Sequence, residues 1–402
     1  MDGARTRGQV AALAAVATMV RGPAPQAVLL VGPEGVGKTT LAMDLAAGLL
    51  CTAAVGERPC RRCRACRLVE TGNHPDLHRL GPAGPGRQVV IGGPDAKYRG
   101  VKDLLAELPL MPVEGGARVA IIEGADRMNE DSQNALLKSL EEPPGGVTIV
   151  LCADHEARLL PTVRSRCFRV RLGLVGARDI EAILGDQGLA DPPTAARLGR
   201  LAGGRPGVAL AYARAPEAAL IHAELVRVLL DLTDARPSGR LAAARLAIPR
   251  AIALSTALAA ADPSIAPPSP RRRGAALAPS PAQDPDRPES TAEDDPDALA
   301  TEGGGPARRP AAERRLAVET ILGLWAGVAR DLVLVGAGGT RSVEASDLLE
   351  ELTAISGAIA PGSAAIFLGR LARSAELLAG NVSPELVLDS LVLSWPRRAA
   401  AA

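Results

Sequence analysis

Residues 27–40 of the chain read AVLLVGPEGVGKTT, five apolar residues that lead directly into a glycine-rich turn. The segment Gly32–Thr39 fits the pattern G-x-x-x-x-G-K-[ST], in which a strand, a loop and the start of a helix form a phosphate cradle. The glycines let backbone N–H groups point inward, and the positive end of the following helix attracts phosphate. This pattern predicts an α/β protein with a pocket for a nucleoside triphosphate.

The loop supplies most of the candidate nucleotide ligands. Lys38 is expected to reach the β- and γ-phosphates, and the Thr39 hydroxyl is expected to hold Mg²⁺. The helix after the loop is predicted to span Thr40 to Leu50. The predicted cofactor is therefore ATP or ADP with Mg²⁺, and the candidate binding residues in this segment are Gly32, Pro33, Glu34, Gly35, Val36, Gly37, Lys38, Thr39 and Thr40.

Four more apolar runs alternate with helical stretches before residue 173. Continuous apolar runs separated by helices indicate a parallel sheet covered on both faces. One intervening helix is well delimited, because Asn129 can cap its start and Pro143-Pro144 ends it after Glu142. We therefore expect a five-stranded parallel sheet built from Ala27–Val31, Leu77–Leu80, Val119–Ile122, Val147–Leu151 and Phe168–Leu172.

A group of cysteines follows the first predicted helix with the spacing C-x8-C-x2-C-x2-C. Four thiolates within sixteen residues suit a closed tetrahedral Zn²⁺ site of the structural type. The alternative is a set of reduced surface thiols. The arginines between positions 58 and 67 make this insert basic, and they suit a solvated face, a protein contact or a DNA contact. The predicted zinc ligands are Cys51, Cys60, Cys63 and Cys66.

The composition limits the classes of protein that remain. Lysine and arginine number 46 against 45 acidic residues, and this balance argues against a protein that coats nucleic acid or a membrane by bulk charge. The apolar segment Val10–Val20 is too short to span a bilayer. Later apolar stretches of membrane length are interrupted by a charge or a proline. We therefore predict a cytoplasmic protein that has no membrane partner.

The rest of the chain is predicted to be helical, with one exception. Aromatic residues are only 1% of the chain, and leucine and alanine recur at three- and four-residue spacing after residue 210. Residues 263–310 hold 11 of the 33 prolines and no aromatic residue, so they are predicted to be a disordered insert. A passive tether or a segment that recruits a partner would both fit.

The motifs together resemble the AAA+ clamp-loader family of bacterial DNA polymerase III. That family also has a P-loop followed by a four-cysteine insert. Residues 119–129 (VAIIEGADRMN) are similar to its Walker B strand, residues 134–144 (NALLKSLEEPP) to its characteristic helix, and residues 165–167 to its SRC motif. The resemblance implies that Arg166 reaches the ATP of a neighbouring subunit and that Glu123 lies where the family binds Mg²⁺.

Three departures from the family pattern concern hydrolysis. Gly124 stands where hydrolysing members have the glutamate that polarises water, and Cys152-Ala153-Asp154 replaces the stretch with the sensor threonine. The second sensor arginine aligns with Gly207. A retained arginine finger with a weakened site of its own is similar to the delta-prime type of subunit, although an intact P-loop is unusual for it.

The resemblance implies three domains and a function. The predicted domains are an AAA+ P-loop domain (1–172, with a zinc knuckle at 51–66), a small helical lid (173–213) and an all-helical collar (214–400). The implied partners are gamma/tau and delta subunits in a hetero-pentameric ring, the sliding clamp, and primer-template DNA through the complex.

Other functions remain open at this point. The nearest is the gamma/tau-type motor subunit, which hydrolyses ATP in its own site. A small-molecule phosphotransferase would use the P-loop but leaves the SRC motif and the cysteines unexplained. A stand-alone zinc-ribbon DNA-binding protein is disfavoured by the neutral net charge and by the P-loop.

Overall fold

A computed structural model describes residues 1, 3–83, 88–93, 96–114, 116–261, 311–340, 343–380 and 382–398. The predicted insert at 263–310 lies outside the described residues. Within them, the N-terminal part is an α/β unit and everything after residue 176 is helical. The domain limits and the roles of lid and collar stay predictions.

The central sheet has five parallel strands, as predicted. Their order is β2-β3-β4-β1-β5, so β1 and β4 are neighbours at the centre. β3 and β4 are longer than their apolar runs suggested, by one and two residues, and β5 ends one residue before the predicted Leu172. The strands are β1 (Ala27–Val31), β2 (Leu77–Leu80), β3 (Arg118–Ile122), β4 (Val147–Ala153) and β5 (Phe168–Arg171).

Six helices belong to the α/β unit. The helix after the P-loop begins at Lys38 rather than at the predicted Thr40, because Gly37 already caps it in a left-handed conformation. Asn129 caps α5 as predicted, with its side chain accepting a hydrogen bond from the N–H of Ser132. These helices are α1 (Val10–Arg21), α2 (Lys38–Leu50), α3 (Arg64–Glu70), α4 (Val101–Glu107), α5 (Glu130–Glu141) and α6 (Pro161–Ser165).

In the part of the chain that the structure describes, nine helices follow. The first three form the compact group predicted as a lid: α7 (Ala177–Asp186), α8 (Pro192–Leu201) and α9 (Pro206–Arg214). The others are α10 (Pro216–Asp231), α11 (Pro237–Ala261), α12 (Ala311–Gly336), α13 (Leu349–Ala358), α14 (Ser363–Ala379) and α15 (Pro384–Ser394). One apolar core runs through this whole helical region and contains both tryptophans, Trp325 and Trp395.

Two separate apolar cores cover the faces of the sheet. α1 and α2 pack on one face, where Val28, Leu30 and Leu41 are fully buried. α4 and α5 pack on the other, around Leu104 and Leu136. Because both faces are covered, the side chains that remain accessible near the sheet are those that follow the carboxyl ends of the strands, where ligands bind in α/β folds.

Helix α11 has the length and hydropathy of a membrane span: its best window reaches a mean hydropathy of 1.4 over 18 residues. This is weak support for a span, since core helices pass the same test. α11 contains Arg240 and Pro249, and it packs against α10, α12 and α15. The buried Arg240 guanidinium donates to the carbonyls of Val392 and Trp395. These contacts join α11 to the other helices, and 28% of its apolar window is buried inside the structure.

Candidate functional site

The P-loop connects β1 to α2 at the centre of the sheet. Gly35 and Gly37 have φ angles of +80° and +101°, which side chains rarely adopt. The backbone can therefore turn tightly there and leave the first N–H groups of α2 pointing into the loop. The loop fits a phosphate group, because α2 spans thirteen residues and offers the positive end of its dipole.

Lys38 is buried beneath the loop, with 9% of its side chain exposed. Its ammonium Nζ lies 2.7 Å and 2.8 Å from the carbonyl oxygens of Gly32 and Pro33. It also forms an ion pair with Asp154, at 2.6 Å from Oδ1. The structure thus places Lys38 at the predicted position, and it adds an acidic partner that was not among the candidate residues.

The predicted magnesium ligands lie together. The Thr39 hydroxyl is 3.4 Å from Oε2 of Glu123, which directly follows β3. The other carboxylate oxygen, Oε1, accepts hydrogen bonds from Nη2 and Nε of Arg79 at 2.6 Å and 3.1 Å. A hydroxyl and a carboxylate side by side are ligands that suit Mg²⁺. Arg79 holds the Glu123 carboxylate in place, and the metal-binding role of Glu123 stays a prediction.

Asp126 and Arg127, just beyond Glu123, organise the end of β4. The Asp126 carboxylate accepts hydrogen bonds from the N–H groups of Asp154 and His155 at 3.0 Å and 3.3 Å. Arg127 lies 3.8 Å from Oδ2 of Asp154 and 3.9 Å from the Glu34 carboxylate of the P-loop. The site is therefore a network of alternating charges.

Helices α7 to α9, the predicted lid, contact the P-loop. The N–H of Gly207, near the start of α9, donates to the carbonyl of Gly35 at 2.8 Å. A Cβ at Gly207 would lie 3.2 Å from that carbonyl oxygen, so the position has little room for a side chain. Gly207 is where the family resemblance would place the second sensor arginine. Here that place is occupied by a backbone contact.

Arg166 follows α6. Its Nη2 forms an ion pair at 2.5 Å with Glu141, at the end of α5, and its Nη1 donates to the carbonyl of Thr162. The side chain is 34% exposed. The contacts place Arg166 on the surface between α5 and α6, away from the Lys38 network. Arg166 thus has two partners within the chain and is partly exposed to solvent.

The four cysteines of the insert converge. Cys51 caps the end of α2, Cys63 caps the start of α3, and all four sulfurs lie within 4.8 Å of one another. The sulfurs of Cys51 and Cys63 are 3.9 Å apart. A tetrahedral Zn²⁺ with Zn–S bonds of about 2.3 Å spaces its sulfurs about 3.8 Å apart. The four sulfurs are therefore already spaced like zinc ligands.

The thiols divide into two pairs by environment. Burial would raise the pKa of Cys63, but hydrogen bonds from the N–H groups of Cys66 and Thr52 lower it to about 6. The N–H of Arg62 is the main cause that lowers the pKa of Cys60. Burial raises the pKa of Cys51 and of Cys66. Ionisation is therefore easier at Cys60 and Cys63 than at Cys51 and Cys66, and a bound cation would favour ionisation of all four.

The arginines of the insert have partners within the chain. Arg61 pairs with the buried Asp44 of α2, and its Nε donates to the carbonyl of Gly3. Arg62 pairs with Glu57, and Arg64 pairs with Glu114. Asp44 also accepts hydrogen bonds from the N–H groups of Arg5 and Thr6. These contacts favour a structural role for the insert over contact with DNA.

Four residues of the nucleotide site were not predicted as site residues. They are Arg79, Asp126, Arg127 and Asp154. The sequence held a signal that two of them belong near the site. Arg79 lies in β2, and Asp154 directly follows the buried strand β4. Polar residues that follow adjacent parallel strands meet at one edge of the sheet. The predicted strand positions alone could not say which strands are adjacent.

Comparison with known proteins supports the resemblance for the N-terminal part. The family described as "DNA polymerase III, delta subunit" matches residues 11–175. The delta' subunit of DNA polymerase III from Pseudomonas aeruginosa is 39% identical over 151 residues, and that from Bacillus subtilis is 37% identical over 141. The tau subunit from Escherichia coli is 34% identical over 176 residues.

The matches cover part of each protein. They span 38%, 35% and 43% of this chain, and 44%, 40% and 26% of the Pseudomonas, Bacillus and Escherichia proteins. The chain thus matches less than half the length of these relatives. Over residues 11–175, its resemblance to the delta-prime subunits of the bacterial DNA polymerase III clamp-loader family, with gamma and tau subunits as further relatives, is confirmed.

Proposed function

We propose that the chain is a delta-prime-type subunit of a DNA polymerase III clamp loader. In this role it helps to load the sliding clamp onto primed DNA during chromosome replication in the bacterial cytoplasm. Its partners are gamma/tau and delta subunits in a five-membered ring, and it meets primer-template DNA through that ring. The similarity of residues 11–175 to delta' subunits supports this proposal.

The chain binds ATP or ADP with Mg²⁺ but hydrolyses ATP little. The observation that carries this proposal is the end of β3, where Gly124 follows Glu123. Glu123 and Thr39 suit the metal, but Gly124 has no side chain with which to orient an attacking water. Because Gly207 has no side chain, the positive charge of the family's second sensor arginine is also missing near the γ-phosphate. A P-loop with Lys38 in place then binds nucleotide without turning it over efficiently.

Arg166 serves the nucleotide site of a neighbouring subunit. Its position beside Glu141, away from Lys38, supports this role. An arginine finger from a neighbour stabilises the charge that develops on the transferred phosphate, with an effect of roughly 10³ to 10⁵ on the rate. The ion pair with Glu141 would orient Arg166 until a neighbour binds.

The four cysteines hold one structural Zn²⁺. The 3.9 Å separation of the Cys51 and Cys63 sulfurs and the closeness of all four support a closed site with four protein ligands. Bound Zn²⁺ would join the end of α2 to the start of α3. This role needs no open coordination position and no substrate.

The test of this function is the ATPase of reconstituted rings that carry one substitution at a time. We expect the isolated chain to show negligible turnover. Arg166→Ala should lower DNA-stimulated ATPase and clamp loading by the complex, at least tenfold for the site that it serves. Lys38→Ala should have a much smaller effect. If Lys38→Ala abolishes turnover while Arg166→Ala leaves it unchanged, the chain is a motor subunit.

The alternative function is therefore the ATP-hydrolysing motor of the same complex. The similarity to the Escherichia coli tau subunit favours it as the second candidate. Efficient ATPase activity of the isolated chain, abolished by Lys38→Ala, would establish this alternative.

A further inference from the structure

The ammonium group of Lys38 has no donor left for a phosphate. An ammonium carries three N–H donors. In this structure they meet the carbonyl oxygens of Gly32 and Pro33 and the carboxylate of Asp154, all within 2.8 Å. A phosphate that binds Lys38 must therefore replace one of these three oxygens. The charged one, Asp154, forms the shortest contact.

Asp154 lies between two cations. Its Oδ1 contacts Lys38 and its Oδ2 faces Arg127 at 3.8 Å. Asp126 fixes its backbone by accepting the N–H of Asp154. The carboxylate is 17% exposed, so solvent screens it weakly. Asp154 thus already pairs with both positive side chains near the P-loop, and Arg127 also faces Glu34 at 3.9 Å.

We propose that Asp154 makes this pocket select a nucleoside diphosphate over a nucleoside triphosphate. The proposal deepens the proposed function and rests on nucleotide binding at the P-loop. The β-phosphate, which Lys38 also reaches, keeps the loop N–H groups and the helix N-terminus as further donors, and Asp154 contacts neither of these. A γ-phosphate would approach Lys38 from the side that Asp154 occupies, so two negative groups would compete for the same cations. Mg²⁺ at Thr39 and Glu123 offsets this repulsion only in part.

Coulomb's law gives the order of magnitude of the repulsion between Asp154 and a γ-phosphate. Two like charges about 4 Å apart near a protein surface repel strongly enough to change an affinity by tenfold or more. Asp154→Asn removes the charge and keeps an oxygen that accepts from Lys38. It thereby removes the negative charge that competes with the γ-phosphate for Lys38 and Arg127. The substitution should therefore improve the binding of the triphosphate far more than that of the diphosphate.

The experiment is calorimetric titration of the full chain with MgADP and with MgATP. For the unsubstituted chain we expect MgADP to bind about tenfold more tightly than MgATP. Asp154→Asn should raise the affinity for MgATP about tenfold and change that for MgADP less than about threefold. Lys38→Ala should weaken both, which shows that the titrated site is the P-loop.

Glu156→Gln provides a matched control. It makes the same change of charge two residues later, where Glu156 pairs with Arg169 and Arg171 and lies outside the Lys38 network. We expect it to leave both affinities unchanged. Equal affinities for the two nucleotides in the unsubstituted chain, or an equal rise for both in Asp154→Asn, overturn the inference but leave the nucleotide site intact. Binding of neither nucleotide to any variant overturns both proposals.

Discussion

Gly124 combines a missing side chain with a special backbone conformation. Its φ and ψ are +62° and +42°, in the left-handed region, and the 3₁₀ turn Ala125–Arg127 begins directly after it. A Cβ at this position would lie 3.0 Å from Cγ of Pro82. The residue therefore cannot be exchanged for the family's glutamate without local adjustment. The turn, as well as the sequence, therefore disfavours the glutamate that the family's hydrolysing members have at this position.

Gly124→Glu is expected to destabilise the chain without creating an ATPase. A residue other than glycine in this conformation costs about 1 to 2 kcal/mol, and the contact with Pro82 adds to that cost. Urea unfolding measures the stability, and single-turnover hydrolysis measures the activity. An increase in hydrolysis to motor-like rates at unchanged stability would contradict this prediction, because it would show that the glutamate fits.

At the residue scale the sequence predicted the contiguous part of the site. Residues 32–40 form the P-loop and the first residues of α2, whose chemistry is local, so their positions followed from the pattern alone. Asp154 was missed because its partner, Lys38, is 116 residues away in the chain. Their contact depends on β4 and β1 being adjacent, and the order of strands in a sheet is not a local property of sequence.

At the scale of elements, the strands were predicted because buried parallel strands are continuous apolar runs. All five lie where those runs lie. The end of an element is less certain, since it depends on capping geometry: Gly37 starts α2 two residues early through its φ of +101°. For the four cysteines, in contrast to the helix ends, the spacing in the sequence was enough. Their spacing predicted a cluster, and the ends of α2 and α3 bring the sulfurs together.

The cysteine insert gives a prediction about metal. We expect about one zinc per chain in protein purified without chelator. Cys60→Ser should lower the zinc content to well below one and leave nucleotide binding intact, because the P-loop lies at the other end of α2. Removal of the metal should also speed amide exchange in residues 3–8, since Arg61 links the insert to Gly3 and Asp44.

Cys167→Ser is the control for metal content. Cys167 lies outside the cluster, with its sulfur 3.3 Å from the carbonyl of Val163. The zinc content of the Cys167→Ser variant should equal that of the unsubstituted chain. Metal analysis that finds no zinc in either protein would contradict the assignment of the site.

The junction of α9 and α10 gives a prediction about pH. The Tyr212 hydroxyl lies 2.7 Å from Nδ1 of His222. Burial, and secondarily Arg205, lowers the pKa of His222 to about 4. The unfolded chain, with a histidine pKa near 6.5, binds the proton first. His222 therefore costs stability as the pH falls from about 6.5 to about 4, and it costs none above this range.

The measurement compares the chain with His222→Asn at pH 7 and pH 5. The asparagine keeps an oxygen for Tyr212 but does not titrate. Allowing for the partial exposure of His222, its contribution to the loss of unfolding free energy over this range is about 1 to 2 kcal/mol. Carboxylates titrate in both proteins, so their effect cancels in the comparison. An equal loss in both proteins would show that His222 is not responsible.

At the scale of the whole molecule, the lid helices are joined to both neighbours. They share one continuous apolar core with α10 to α15, and they contact the α/β unit through backbone hydrogen bonds. Gln9 of the α/β unit adds two hydrogen bonds: its side-chain amide donates to the carbonyl of Gly173 and accepts from the N–H of Gly173. The family resemblance predicted helices over residues 173–213. It could not predict which helix would meet the P-loop, since that depends on the packing of three elements.

The contact between Gly207 and Gly35 gives the last prediction. Gly207→Arg restores the residue type that the family resemblance places there, but its Cβ would lie 3.2 Å from the Gly35 carbonyl oxygen and 3.3 Å from the Gly35 Cα. We expect the lid to separate from the P-loop, with a loss of about 1 to 3 kcal/mol of unfolding free energy and no gain in ATP turnover. Gly323→Arg is the matched control, because Gly323 is exposed on α12 and a Cβ there meets nothing within 4 Å. That variant should be at least as stable as the unsubstituted chain. Stable Gly207→Arg protein that hydrolyses ATP would show that the lid adapts and that the missing arginine alone limits turnover.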